Sequence, residues 1–442
     1  MGFRELLLRA DDVVNELVQA VENRGYGVKE VEEVLLQYTN SLASLMEQEV
    51  VDLVSEPHQE NRVYVEGEEA VFDQKRNLRF RNRFGGETVR ARRCYKFLNK
   101  EGGYSPLDEM LATDKCGGFS PLMTFLIALL AAGRPFEESA RILSKTLGFS
   151  VSSTAVQRNS EEAGAQLSDE PLKVINQRKR RQGCDVMLVE MDSTTSPQIH
   201  QEDGITGRES LKQPTEWKMC HVGTIQKLRG GQVKDEWTVA RYGKLEDFGF
   251  HLGRSALALG QEKAQKVVFL ADGLHANWQI CYDHFPGALQ ILDFYHAAEH
   301  LSDFCALLPD QEKAGKSAEK WRGDLLEGQV LQVMAEMRAV IPTLTDTDRA
   351  WKEYRYFKNN WQKMSYDKYV DAGLPIGSGK VEGGCKFVVG KRFKGNGMRW
   401  KKADNQKILR ARLASLNGYL ERHYRPSPRA YTFTPPADRI AS

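Results

Sequence analysis

The sequence has no cysteine pair in C-x-x-C spacing and no run approaching the roughly 18 uninterrupted apolar residues of a membrane span. Its seven cysteines, at 94, 116, 184, 220, 281, 305 and 385, are odd in number and scattered. A disulfide framework and a zinc ribbon are therefore not expected, and reduced thiols are. Met1-Gly-Phe-Arg lacks the apolar core and small-residue cleavage site of a signal peptide, so the expectation is a protein of the cell interior. What is present is a globular balance, 41% hydrophobic and 28% charged over 442 residues. That length exceeds one ordinary core, and two to four folded units are expected.

The net charge of +2 hides an asymmetry. Residues 1–74 hold 17 acidic and 5 basic side chains, a balance of −12, which leaves +14 on residues 75–442. A polyanion is the partner such a balance suits. Residues 1–55 read as two helices, with Val28, Val31, Leu35, Tyr38, Leu42 and Leu45 forming a heptad-like seam. Either a packed hairpin within one chain or a dimerising coiled coil satisfies that seam. In the strand and linker region 56–115, Lys75 to Arg93 brings eight basic residues against one acid, with Arg79-Phe-Arg-Asn-Arg83 alternating as a strand does. A solvated face gives such a run too, but the near absence of counter-charge favours phosphate contact.

Residues 116–182 fit a helix-turn-helix. An apolar helix from Ser120 to Ala132 precedes one carrying Phe136, Ala140, Leu143 and Leu147, with a stop at Gly148. A new start follows among Ser152, Ser153 and Thr154, where Thr154-Ala-Val-Gln157 fits a capping box and the helix turns Gln157 and Arg158 outward. Packed helical hairpins look the same, but the basic run Arg178-Lys-Arg-Arg181 next to it favours DNA.

From residue 183 the pattern changes. Strands are expected at 184–192, Trp217 to Leu228, Glu236 to Tyr242, 266–271 and Ala288 to Leu292, with helices at Leu245 to Leu259 and His275 to His284. Three strands able to form a meander, followed by alternating helix and strand, predict a mixed α/β sheet. Residues 301–370 read as an all-helical insertion, and 371–424 as the second part of the α/β core. Residues 425–442, rich in Pro and Ser, read as a loose tail.

Two of the strands deliver acids, Asp192 and Asp272, and a third acid, Glu382, follows Gly373-Leu-Pro-Ile-Gly-Ser-Gly379 at a helix start. Any one of these could merely cap a helix. Three carboxylates meeting at one point would repel unless divalent cations neutralise them, and oxygen-only ligands select magnesium or manganese. Two such ions roughly 4 Å apart serve an in-line phosphoryl displacement. Beside Glu382, Lys386 to Lys402 carries seven basic residues and no acid, among them Lys386, Lys391, Arg392, Lys394 and Arg399, together with Trp400.

The order Asp192, Asp272, Glu382 on a mixed sheet resembles the DDE transposases of the RNase H-like fold. Asp293-Phe-Tyr-His296 is similar to the C/D-x-x-H signature of the Mutator-like clan. Gly118-Phe-Ser-Pro-Leu, Trp217-Lys-Met-Cys-His-Val-Gly223, Ile291-Leu-Asp-Phe-Tyr-His-Ala-Ala-Glu-His300, Gly373 to Glu382 and Gly395-Asn-Gly-Met-Arg-Trp400 look most like the Kra-type insertion-sequence group. The resemblance covers about residues 110–425 and is most specific from 266 onward. It implies an RNase H-like α/β core with an all-helical insertion after helical and helix-turn-helix amino-terminal domains. It also implies binding of terminal inverted repeats, metal-dependent strand cleavage and strand transfer, and a prokaryotic, nucleoid-associated protein acting as a dimer or higher oligomer on DNA. Asp192, Asp272 and Glu382 would hold two Mg2+ or Mn2+, with Asp293 and His296 at the DNA. The chain departs from the group in lacking a cysteine-pair knuckle, only Cys94 and Cys116 remaining there, so no zinc is expected.

A catalytically silent, domesticated DNA-binding protein would carry the same motifs. A zinc protease is the other alternative, because His296-Ala-Ala-Glu-His300 matches H-x-x-E-H with Glu299 as base. It lacks an evident third ligand.

Overall fold

The computed structural model describes residue 5 and residues 8–55, 58–114, 116–176, 180–199 and 213–424. The expected tail 425–442 and part of the Arg178–Arg181 run lie outside them. The molecule is mixed α/β, with two separate sheets, and divides into two units, residues 1–167 with 407–442 and residues 168–406.

The first unit opens with helices α1 (Ala10–Glu22) and α2 (Val28–Leu53). At the start of α2 the Glu30 carboxylate accepts from the Gly27 amide at 2.9 Å. Much of their apolar surface is open: Val14, Val18, Val21, Val28 and Leu35 are exposed, while Leu17 and Val51 are buried. The next element is an antiparallel sheet in the order β1 (Arg62–Val65), β2 (Glu68–Arg81), β3 (Glu87–Phe97), β4 (Gly103–Tyr104).

This sheet changes the reading of the first basic run, because at least four of its seven arginines serve internal partners. Arg90 donates to the Val51 and Val54 carbonyls at the end of α2, where the last helical carbonyls lack intrahelical donors. Arg92 pairs with Asp108. Arg93 lies 4.0 Å from the Phe72 ring centroid and donates to Tyr95 and Asn61 at 3.0 Å. Arg81 donates to the Ser150 carbonyl at 3.1 Å. Alternation along a strand is blind to which face a neighbouring helix covers.

Helix α3 (Pro106–Met110) leads to three packed helices, α4 (Pro121–Ala131), α5 (Phe136–Leu147) and α6 (Ser153–Gln166). Their core is Phe119, Met123, Ile127, Leu143 and Val156. Gly148 ends α5 in the left-handed region, as its position in the sequence predicts. α6 starts within the expected Ser152–Thr154 run, but its cap is Ser152 rather than the Thr154 of the capping box, the Ser152 Oγ accepting from the Ala155 amide at 3.2 Å. Gln157 and Arg158 are exposed on this helix, and Gln157 donates to Glu161 at 2.8 Å.

The second unit begins with α7 (Pro171–Val174) and contains β5 (Cys184–Ile199), β6 (Thr215–Arg229), β7 (Gln232–Tyr242), α8 (Leu245–Ala258), β8 (Ala264–Ala271), α9 (His275–His284) and β9 (Leu289–Leu292). The five-stranded order is β7-β6-β5-β8-β9. The first three strands pair antiparallel; β5, β8 and β9 run parallel. Gly230 and Gly231, both at positive φ (57° and 74°), supply the tight β6–β7 turn whose twist matches the strands it joins. Beneath the sheet, Lys227 is buried and its ammonium donates to three carbonyls, of Arg180, Gln182 and Leu259, at 2.5, 2.5 and 2.8 Å.

The expected end of the central strand is corrected. β5 does not stop at Asp192 but continues through Pro197 to Ile199, paired with β6 down to Thr215. Its parallel partner β8 leaves it at Glu190. Asp192 therefore lies just past the end of the parallel pairing; β7 still pairs with β6 opposite Ser193 and Thr194, and from Thr195 the run is a two-stranded extension in which a proline is tolerated.

The helical insertion follows as α10 (Phe294–Cys305), α11 (Gln311–Leu326), α12 (Val330–Val340), α13 (Thr347–Asn360) and α14 (Tyr366–Asp371). After it, α15 (Gly379–Gly384), a π-helical segment Cys385–Gly390 and α16 (Lys391–Phe393) run on without a break. The last helices, α17 (Lys402–Leu416) and α18 (Leu420–Tyr424), change the expected domain boundary: residues 407–424 belong to the first unit, where Arg412 donates to the Ala132 carbonyl at 2.7 Å. No described helix is long and apolar enough to cross a membrane.

Candidate functional site: an acidic end of the second sheet

Parallel pairing sets the site. Because β5 and β8 run side by side in one direction, Asp192 and Asp272 emerge at the same end of the sheet. β9 ends one strand further, and the Asp293 amide donates to the Ala271 carbonyl at 2.9 Å, bringing a third acid to that edge. Asp272 is held by the Leu274 amide at 3.0 Å and the Asn277 side chain at 2.7 Å, both on Oδ1. Asp192 Oδ1 accepts from the Ser193 amide at 2.6 Å. Burial raises the Asp192 pKa, and the charge of Asp272 adds to that rise.

Asp293 does not offer its carboxylate to a ligand. It is 1% exposed and caps α10, Oδ1 accepting from the Tyr295 amide at 2.6 Å and the His296 amide at 3.0 Å, while Oδ2 accepts from the Ser378 amide at 2.5 Å. Burial pushes its pKa up, but the hydrogen bonds from His296 and Ser378 outweigh it and hold the group at about 2. The expected contact of Asp293 with DNA is thus replaced by a positioning role. It carries His296, whose Nδ1 lies 3.5 Å from Oδ1. The Asp293 carboxylate lifts the imidazole pKa to about 9 against its burial, with Asp272 and Asp192 contributing, so His296 is a cation facing the acids at neutral pH.

His300, one helical turn on, faces elsewhere. Its Nδ1 contacts the buried Glu353 of α13 at 2.6 Å, and its ring stacks on Tyr356 with centroids 3.7 Å apart. Tyr356 covers the turn after Asp272: a Cβ at Gly273 would fall 2.2 Å from its ring, so glycine is required there. The insertion thereby braces the Asp272 turn. The two histidines of the H-x-x-E-H match are committed to different carboxylates on different elements.

Glu382 stands on α15, its side chain 43% exposed and 3.8 Å from Lys386. Three residues on, buried Cys385 donates to Asp192, which places this helix against the strand bearing that acid. Among the described residues, no three His, Cys, Asp or Glu side chains are gathered so as to hold a metal ion. Asp192 and Asp272 are brought together; Glu382 is adjacent but paired with lysine. The π segment behind it is a feature often found at functional sites.

The second basic run lies along the β5 extension. Lys394 donates to Thr194 Oγ1 at 2.6 Å, and Trp400 bridges Pro197 and Ile199 through its backbone at 3.3 and 2.8 Å. Lys386, Lys391, Lys394 and Arg399 are exposed. Two expected DNA contacts are corrected. Arg392 is 1% exposed, its guanidinium 4.6 Å from the Trp400 ring centroid, and Trp400 is buried against Phe393 at 5.0 Å. Together they pack the turn that displays the lysines.

Glu190 is the residue that strand-tip reasoning misses. Two positions before Asp192 and so on the same face, it is 1% exposed and accepts from Thr224 Oγ1 at 3.0 Å. Burial pushes its pKa up to about 7, with Asp293 and Glu236 adding to the rise. The i, i+2 spacing of the two acids was the available signal.

No family model matches the chain. A distant relative, described as the "UPF0236 protein in vanSb 3'region" of Streptococcus gallolyticus, is 20% identical over 405 residues, 90% of this chain and 84% of that protein. The solved Drosophila P element transposase strand transfer complex aligns over 71% of this chain and 86% of that one, at 13% identity and a TM-score of 0.29, a likeness too slight to define the fold.

Proposed function

We propose that the chain is a DNA transposase with an RNase H-like DDE core, which binds element ends and carries out divalent-metal-dependent strand cleavage and strand transfer. One observation carries the reading: adjacent parallel strands bring Asp192 and Asp272 to one end of a β7-β6-β5-β8-β9 sheet, facing the His296 cation. That strand order and its directions suit the RNase H-like arrangement implied by the sequence motifs.

The donor set fits a divalent cation in part. Two mutually repelling carboxylates, Asp192 and Asp272, one of them desolvated, would hold Mg2+ or Mn2+, and Glu382, now 3.8 Å from Lys386, would be the third ligand that the sequence motifs imply. When bound, such ions stabilise the attacking and leaving oxygens of phosphoryl transfer. The protein's own groups do the rest. His296 offers a charged donor to a phosphate oxygen, Asp293 holds that ring in place, and Asn277 with the Leu274 amide fixes Asp272. Lys386, Lys391, Lys394 and Arg399 face the DNA backbone, Gln157 and Arg158 face the terminal repeats, and the open apolar surface of α1 and α2 takes a second copy.

The test is to incubate the protein with the DNA flanking its own gene and magnesium, then map the cuts. Nicks that free a 3′-hydroxyl at the element ends, lost in Asp272→Asn, are expected. Failure to cut with either Mg2+ or Mn2+, or stoichiometric zinc lost in both His296→Ala and His300→Ala, would remove this reading.

A further inference from the structure

Tyr295 sits between Asp293 and His296 and is 59% exposed, although its footing is fixed. Its amide is bound by Asp293, and its ring lies on the backbone of Gly377, where a Cβ would come within 2.4 Å of the ring. That loop is itself tied down on both sides, by the Phe294 amide donating to the Ile376 carbonyl at 2.8 Å and by the Ser378 amide donating to Asp293. Phe294 meets the Tyr295 ring nearly edge-on at 5.8 Å. Exposed aromatics usually swing freely; this one is backed by two anchored segments and presents its remaining surface to solvent. It precedes His296 in the first turn of α10, the helix that Asp293 caps at the acidic end of the sheet.

We propose that Tyr295 is a stacking platform for an unpaired nucleobase of the DNA strand whose phosphate enters the Asp192–Asp272 end of the sheet. A pre-positioned ring loses little rotamer entropy on binding, and every base offers a π-face, so the contact is tolerant of sequence. A phosphate beside His296 and a base on Tyr295 are neighbouring parts of one nucleotide, recognised by adjacent residues. The contact selects DNA that is frayed or single-stranded next to the reacting phosphate over intact duplex. The inference rests on the DNA-processing reading above.

The experiment uses the full chain without divalent cations, so that no cleavage intervenes. The probes are a blunt duplex and the same duplex with a short single-stranded 3′ overhang carrying 2-aminopurine at successive positions. Wild type and Tyr295→Phe should quench 2-aminopurine at one overhang position. Both should also bind the overhang duplex about five- to a hundredfold more tightly than the blunt one, the range of one base–aromatic stack. Tyr295→Leu retains the apolar contact with Gly377 but should lose both effects with an unchanged melting temperature. Should that variant unfold, Tyr295→Trp reads the contact from the protein side, its added indole emission falling only with overhang DNA. Quenching by Tyr295→Leu equal to wild type, or no responsive position, overturns the proposal alone. Wild type that binds neither duplex overturns the DNA reading and this inference with it.

Discussion

The two sheets use charge in opposite ways. In the first, the charge is consumed: Arg81, Arg90, Arg92 and Arg93 bind carbonyls, rings and a carboxylate within their own unit. In the second, Asp192 and Asp272 meet with His296 facing them, and lysines along the neighbouring turn are exposed. A group that satisfies its partners at home adds stability, whereas one left under strain has affinity to offer something else. Substitutions in the first sheet should therefore cost folding, and those in the second should cost function.

The sharpest way to break this comparison is at the acids. Asp192→Asn and Asp272→Asn should each reduce metal-dependent cleavage about a thousandfold or more, equivalent to roughly 4 kcal/mol of transition-state stabilisation. Melting temperature should hold or rise, since each change relieves repulsion. A variant that cuts at the wild-type rate removes that residue from the site.

In the first sheet, Arg92→Ala leaves Asp108 without its cation in a mostly covered position. Urea unfolding should show a loss of about 2–4 kcal/mol, with DNA affinity in the folded protein unchanged. An effect on DNA binding but not on stability would reverse the roles assigned to the two sheets.

Glu190 gives a pH test. Its folded pKa, about 7, lies above the ordinary carboxylate value, so ionisation favours the unfolded chain. The penalty is absent below about pH 4.5, grows as pH rises, and is complete above about pH 7. Glu190→Gln should accordingly be more stable than wild type by about 1–3 kcal/mol at pH 8, with the difference vanishing at pH 4. A constant difference between the two pH values would mean that charge is not what makes Glu190 costly.

The smallest effect belongs to the second basic run. If Lys391 and Lys394 meet phosphates, replacing both with alanine should flatten the slope of log affinity against log salt by about two, whereas Arg392→Ala, buried under Trp400, should act on stability. An unchanged slope after the double substitution would make the two basic runs alike.

Much of the second unit was legible because parallel strands buried on both faces read as short apolar runs, and each strand boundary except the carboxyl end of β5 fell within a few residues of its expected place. The four-stranded character of the first sheet was not legible. Its β1 and β4 are only four and two residues long, too short for periodicity to register. The cap of α6 was displaced because three successive hydroxyl residues, Ser152, Ser153 and Thr154, compete for it. Asp293 was assigned to DNA by its resemblance to the C/D-x-x-H signature, and Arg392 and Trp400 by the composition of their basic run; burial assigns all three to the scaffold instead.

The sequence by itself determined most of the strands and helices of the second unit, and that Asp192 and Asp272 end apolar runs, because backbone periodicity and side-chain polarity are local properties. Only the tertiary structure decided which charges are spent. Whether an arginine reaches a helix-terminal carbonyl, or whether a tyrosine lies on a glycine more than eighty residues away, depends on which faces pack together, and no local pattern encodes that.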